Sequence, residues 1–381
     1  MKKMKKSYLI TLVALLVCLS ATLVACGNAQ PTAATPAAQT EPADGGSGGD
    51  ASGSGKHIGM VIKMPTAGYI QAFVHGATQA AEEMGHQITI VNADADSLRI
   101  INAIDNFLMQ GIDGFILAGA EDLVTLVPGI ETLNNAGIPI VAVDTSPEGG
   151  FVDLFVTVCI RDSSRRAAEQ MIEGIRSAHG GQVPEGVVIE ITGSLVDMFT
   201  TLANQGFSSV MEQHPQLTVV QGEGRWNNDD SFNRTSDLLT RYGDDVVAVY
   251  VHTPDIMGAG AVAAIQAANL DPRDFFISGM WLGPEGVELM QDDLLYAVVA
   301  PPAYDIILKA MYYLDILMQG GTLPPLGTVI EEEGTFWSPA EVMENEHAAP
   351  GSKTLLITAP MVPQEVSHTD PRLWENMIRY W

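Results

Sequence analysis

Cysteine is nearly missing from this chain of 381 residues, with three in all, at positions 18, 26 and 159. That excludes a disulfide framework, so stability must come from a buried core, which a chain of this length can build as two lobes. Cationic residues are scarce as well: 19 Lys and Arg stand against 46 Asp and Glu, for a formal charge of −27. Nucleic acid as a partner needs clustered Lys and Arg to neutralise phosphates, so none is expected, and the acidic excess serves solubility. Patterns for catalysis and metal binding are also lacking. No nucleophile elbow joins a strand to a helix, and the eight histidines show no ligand spacing. Asn92-Ala93-Asp94-Ala95-Asp96 lacks the glycine and the closing glutamate of a calcium loop. Gly258-Ala259-Gly260 is followed by alanine at 263 and is no dinucleotide fingerprint. The expectation is therefore no enzyme, no metal and no cofactor.

A long apolar run does occur at the start. Lys2, Lys3, Lys5 and Lys6 precede the uncharged stretch Tyr8 to Val24, which ends in Leu23-Val24-Ala25-Cys26-Gly27. A cationic region, an apolar core and a small-residue site in that order predict a secretory signal over residues 1–25. The run falls short of the roughly 20 apolar residues that span a bilayer. Leu-Val-Ala-Cys resembles the bacterial lipobox, which implies cleavage before Cys26, lipidation of its thiol and membrane anchoring through acyl chains. Residues 26–55 are mostly Ala, Pro, Thr, Gly and Ser and read as a flexible tether. Cys159, in the apolar run Leu154 to Ile160, reads as a buried small hydrophobe.

From Lys56 onward short apolar runs alternate with amphipathic stretches, as βαβ units on parallel sheets require. Strands are predicted at His57 to Ile62, Gln87 to Asn92, Gly114 to Leu117 and Ile138 to Val143, with helices from Tyr69, Ser97 and Leu123 between them. A second series opens at Val152 to Ile160 and ends with a long helix, Tyr304 to Gln319. Two similar lobes are expected.

Several segments resemble the type 1 periplasmic binding proteins, the ribose- and galactose-binding group that feeds ABC transporters. They are Gln110-Gly111-Ile112-Asp113-Gly114-Phe115-Ile116-Leu117, Asn135-Ala136-Gly137-Ile138-Pro139 running on to Asp144, and Thr253-Pro254-Asp255-Ile256-Met257-Gly258-Ala259-Gly260-Ala261. Gly206-Phe207 and Ile277-Ser278-Gly279 add to them, all in family order. The resemblance implies an α/β fold of two Rossmann-like lobes, each a parallel sheet flanked by helices, joined by three hinge crossovers near Ser146, Pro301 and Gly327. The first lobe would comprise 56–145 plus 302–327, the second 146–301 plus 328–345, with 346–381 as a Pro-rich tail. The implied function is an extracytoplasmic, lipid-anchored solute-binding protein that closes on a small neutral ligand, a sugar, and delivers it to an ABC transporter permease. A sensor for a chemoreceptor or kinase, or a binder of nucleoside-type solutes, is the alternative.

The ligand residues implied by the resemblance fall beyond strand carboxyl ends, the rim where open α/β sheets bind ligands. Tyr69 sits in the loop after the first strand and either stacks on the ligand or packs; Phe73, one turn on, reads as core. Glu121 and Asp122 follow the third strand, and Asp122 serves either a polyol or the cap of the next helix. Asp144 and Arg161 are placed at the first crossover, with Asp162 as a helix cap. In the second lobe Trp226 is a contact or its support, Asp255 matches the family's acidic ligand, and Trp281 stands where the family has an aspartate. The family's arginine before Gly206 is replaced by Thr200-Thr201-Leu202-Ala203, and its glutamine by Pro301-Pro302. The loop Val196-Asp197-Met198-Phe199 offers an apolar surface instead.

Overall fold

The computed structural model describes residues 55–94, 96–120 and 122–363. The predicted signal with Cys26, almost all of the tether, Glu121 and the aromatic end of the tail lie outside the described residues.

The chain opens with β1 (His57–Ile62), α1 (Gly68–Glu83), β2 (Gln87–Asn92), α2 (Ser97–Gln110), β3 (Gly114–Ala118), α3 (Val127–Asn135), β4 (Ile140–Val143) and β5 (Leu154–Val158). It continues through α4 (Ile160–Ala178), β6 (Gly186–Thr192), α5 (Met198–Met211), β7 (Leu217–Glu223), α6 (Asn228–Tyr242), β8 (Val246–Val251), α7 (Pro254–Ala267), β9 (Ser278–Met280), α8 (Pro284–Gln291) and β10 (Ala297–Val299). The last elements are α9 (Ala303–Met318), β11 (Val329–Ile330), β12 (Ala340–Glu344), β13 (Lys353–Ile357) and β14 (Met361–Pro363).

Two sheets result. The first runs β11-β12-β13-β5-β4-β3-β1-β2, the second β14-β10-β9-β8-β6-β7. Their parallel parts are wound alike, β2-β1-β3-β4-β5 in one and β7-β6-β8-β9-β10 in the other. Each therefore has its change of winding direction beside its first strand, and that is where open α/β sheets leave a crevice at the strand carboxyl ends. Helices cover both faces, so central strands such as β3 (GFILA) and β4 (IVAV) are apolar and buried throughout.

The lobe assignment read from the sequence needs correction in three places. β5 was expected to open the second lobe, yet it pairs in parallel with β4 and β13 in the first sheet. The 144–153 connection folds back on β4, because Asp153 donates its backbone N–H to the carbonyl of Ile140 while its carboxylate accepts the Ile140 N–H. Segment 328–345 also joins the first sheet, as β11 and β12. Residues 346–363 are no tail: β13 lies between β12 and β5, and β14 pairs antiparallel with β10 at the edge of the second sheet. Both strands are short runs among prolines, where periodicity gives no strand signal.

The chain accordingly crosses between the sheets three times: at Cys159 between β5 and α4, at Ala300 to Pro302 between β10 and α9, and at Thr358 to Pro360 between β13 and β14. The crossing near Pro301 is where the sequence puts it, and those near Ser146 and Gly327 are displaced. Cys159 is half-buried, and its Sγ accepts the Asp162 N–H at 3.4 Å. It caps α4 at the crossover and is not a core residue. Asp162 lies in the first turn of α4 and pairs with Arg165.

Candidate ligand-binding cleft

The carboxyl ends of the two sheets face a common cleft lined by Lys63, Tyr69, Asp144, Phe199, Trp226, Thr253, Ile256 and Trp281. Each lining residue sits just past a strand or in the first turns of the following helix. Lys63 follows β1, Tyr69 opens α1 and Asp144 follows β4, all on the first sheet. Phe199 opens α5, Trp226 precedes α6, Thr253 and Ile256 bracket the start of α7, and Trp281 follows β9, all on the second. The rule of strand carboxyl ends thus accounts for every one of them.

Lys63 is the electrostatic centre. Its Nζ lies 2.7 Å from Asp144 Oδ2 and 3.4 Å from Asp197 Oδ2, and all three side chains are almost inaccessible. Burial works against the ammonium, but the carboxylates of Asp144 and Asp197 outweigh it and hold the lysine pKa well above its ordinary value. Asp197 reaches in from the second lobe, where it is also the N-cap of α5, accepting the Phe199 N–H at 2.8 Å. Gly119 makes room for the pair: its φ is +85°, and a Cβ there would stand 2.7 Å from both Asp144 Oδ2 and Lys63 Cδ.

Aromatic rings from both lobes make the walls. Tyr69 meets Trp281 across the cleft with ring centroids 5.0 Å apart and planes tilted by 33°. Phe199 and Trp226 meet edge to face at 5.4 Å. The space left is small, a cavity of about 10 Å³.

Two features of these walls fit a binding site. Three lining residues, Asp144, Trp226 and Trp281, have left-handed backbones, with φ of 68°, 58° and 68°. A bulky residue in that region costs on the order of 1–3 kcal/mol, and such strain gathers at binding sites. Trp226 Nε1 and Thr253 Oγ1 are buried without a hydrogen-bond partner among the described residues. An orphaned buried polar group costs about 1–3 kcal/mol, which a ligand hydroxyl would relieve.

Of the residues named from the sequence, Tyr69, Asp144, Trp226 and Trp281 come together in the cleft. Asp255 is buried just behind it, in the first turn of α7, and accepts backbone N–H groups of Gly283 and Gly286 at the start of α8. Its oxygen Oδ2 has no partner among the described residues. Burial, aided by Glu285, pushes its pKa up to about 7 against those hydrogen bonds. Phe73 is core, edge-on to Tyr69. Asp122 and Arg161 stay outside. Asp122 is exposed and binds the backbone N–H and hydroxyl of Thr125, which lower its pKa. Arg161 is exposed on α4 and donates to Gln205 of α5. Phe199 belongs to the loop expected to offer an apolar surface, whereas Lys63, Thr253 and Ile256 have no ligand role in the sequence reading. Lys63 carried a usable signal, a lone charge directly after the first apolar strand.

A family model for the periplasmic binding protein domain matches residues 58–322. Among curated proteins the chain is 23% identical over 252 residues to the ribose import binding protein of Bacillus subtilis, covering 64% of this chain and 75% of that one. It is 24% identical over 262 residues to the D-apiose import binding protein of Actinobacillus succinogenes, covering 67% and 79%. Among solved structures, a galactofuranose binding protein superposes with a TM-score of 0.68 at 18% identity, covering 81% of this chain and 95% of the other. A solute binding protein from Bacillus halodurans with bound myo-inositol gives 0.66 at 19%, covering 86% and 98%. At such identities the structural likeness speaks for the fold, the family match reaches further, and the chain belongs to the periplasmic binding protein domain family.

Proposed function

We propose that this protein captures one small neutral sugar between its two lobes and hands it to the permease of an ABC importer. The observation that carries the reading is the cleft itself: ring faces from both lobes beside buried, unpartnered hydrogen-bonding atoms at Trp226 and Thr253. Sugars present C–H faces that pack on rings and hydroxyls that both donate and accept, and this lining offers both kinds of partner. The relatives named for ribose and D-apiose import support the same class.

Lys63 and Asp144 would bind adjacent hydroxyls, the ammonium donating and the carboxylate accepting. The cavity of about 10 Å³ holds little more than one water, so a monosaccharide enters only when the lobes part. Parting would bend the chain at the three crossovers, Cys159, Ala300 to Pro302 and Thr358 to Pro360, as in hinge closure around a ligand. The lobe closed on its ligand then offers the permease a surface the open form lacks.

Family membership implies an extracytoplasmic location. The order of cationic region, apolar run and Leu-Val-Ala-Cys supports a lipid anchor at Cys26 in addition. Among the described residues no helix is long and apolar enough to cross a membrane. Replacing Cys26 by Ala should abolish incorporation of labelled fatty acid into the exported protein.

The reading is tested by thermal shift against neutral pentoses, hexoses and polyols, since a ligand of the native state alone raises the melting temperature. At least one neutral sugar should raise it by several degrees. If none does while another solute class does, the proposal fails.

A further inference from the structure

Among the described residues one ammonium lines the cleft, and the two carboxylates that share it come from different lobes. Asp144 follows β4 on the first sheet, and Asp197 caps α5 on the second, with Lys63 Nζ 2.7 Å from one and 3.4 Å from the other. All three side chains are at most 3% exposed. With both carboxylates ionised the local sum is one positive charge against two negative, in a place where water screens little; burial pushes the Asp144 pKa up and the Lys63 ammonium pulls it back. A further carboxylate, Asp255, is near enough for its charge to act on Tyr69, and Glu285 acts on Asp255 in turn. Among the described residues no arginine lines the cleft.

We propose that Asp197 is a charge-selecting residue: by over-neutralising Lys63 it bars acidic sugars, such as uronates and sugar phosphates, from a cleft that accepts uncharged ones. The inference rests on the sugar reading above. A ligand carboxylate brought beside Asp144 would need Lys63 as its counter-ion, and that ammonium already serves two carboxylates. Like charges placed together in a site closed to water repel strongly. An uncharged polyol meets no such cost, because each hydroxyl can donate to Asp144 or accept from Lys63 and Trp226 Nε1. Asp197 is not among the residues lining the cleft and works through Lys63, so it is a positioning residue. Its mark is the ratio between charged and neutral ligands. A merely structural role would weaken both alike.

The substitution Asp197→Asn removes the charge and keeps a good N-cap for the Phe199 N–H, and Asp197→Ser does the same with a smaller side chain. Wild type and both variants are titrated calorimetrically with matched pairs: galactose and galacturonate, glucose and glucuronate, ribose and ribose 5-phosphate. Wild type should prefer the neutral member by about tenfold or more, and each folded variant should narrow that ratio by about tenfold, the acidic member gaining affinity outright. The inference is overturned if wild type binds an acidic member as well as its neutral partner, or if both variants fold and bind with the ratio unchanged. Where another neutral sugar stabilises wild type in the thermal-shift screen, it and its uronate or phosphate make the pair; if none does, the sugar reading itself falls and this inference with it.

Discussion

The two rims of the cleft are built from the same winding and carry different chemistry. The first lobe contributes charge, Lys63 and Asp144, together with one ring, Tyr69. The second contributes three rings, Phe199, Trp226 and Trp281, and two unpartnered polar atoms, Trp226 Nε1 and Thr253 Oγ1. Equal topology fixes where ligand residues stand, and the loop sequences decide what each side offers. On the proposed reading the first rim would bind hydroxyls through its charges, and the second would pack ring faces on the sugar. Asp197, entering from the second lobe to touch Lys63, ties the two together.

The comparison breaks most severely at Lys63. The substitution Lys63→Met leaves Asp144 and Asp197 buried near one another without a cation, and removing one partner of a buried ion pair costs about 3–5 kcal/mol. The melting temperature should fall by roughly 10 °C. An unchanged melting temperature would mean that the first rim does not depend on its charge.

A second test uses pH and the second rim. Asp255 has a folded pKa of about 7, above its ordinary 3.8. Between those values the folded state binds more protons than the unfolded one, so stability falls as pH rises from about 4 to about 7 and levels off above. The contribution is on the order of 4 kcal/mol across that window. The Asp255→Asn variant lacks it, so chemical denaturation should show the variant gaining on wild type as pH rises. A constant difference from pH 4 to 8 would place Asp255 in contact with water.

Smaller effects follow at single contacts. Trp226→Phe keeps a ring and deletes the buried Nε1–H, so affinity for the sugar found by thermal shift should drop about tenfold, as loss of one hydrogen bond predicts. At Asp122, outside the cleft, Asp122→Ala should cost at most about 1 kcal/mol of stability through the lost turn hydrogen bonds to Thr125 and leave affinity unchanged. Loss of affinity there would extend the first rim to the β3 loop.

Much of this was legible in the sequence because it follows from period and position. Alternating apolar runs pointed to two βα series, strand position marked Asp144, and the family resemblance pointed to Tyr69, Trp226 and Trp281. Asp255, expected as a ligand residue, lies behind the cleft lining, its carboxylate turned to the start of α8 by the Gly283 and Gly286 N–H groups. Capping of this kind depends on a loop distant in sequence. The boundaries failed for a similar reason: β5, β13 and β14 are assigned by their pairing partners, and pairing leaves no local trace in three-to-five-residue strands. Lys63 was overlooked because a lone lysine reads as solvated surface until its two carboxylates are seen.

The central claim is that one ligand is held by both rims at once. Calorimetric titration of the neutral sugar into wild type, Tyr69→Ala and Trp281→Ala tests it most directly, since these rings face each other from opposite lobes at 5.0 Å. The account predicts one sugar per chain for wild type and binding about tenfold weaker or worse for each variant alone. Full affinity in either variant would contradict it, because the ligand would then rest on a single lobe.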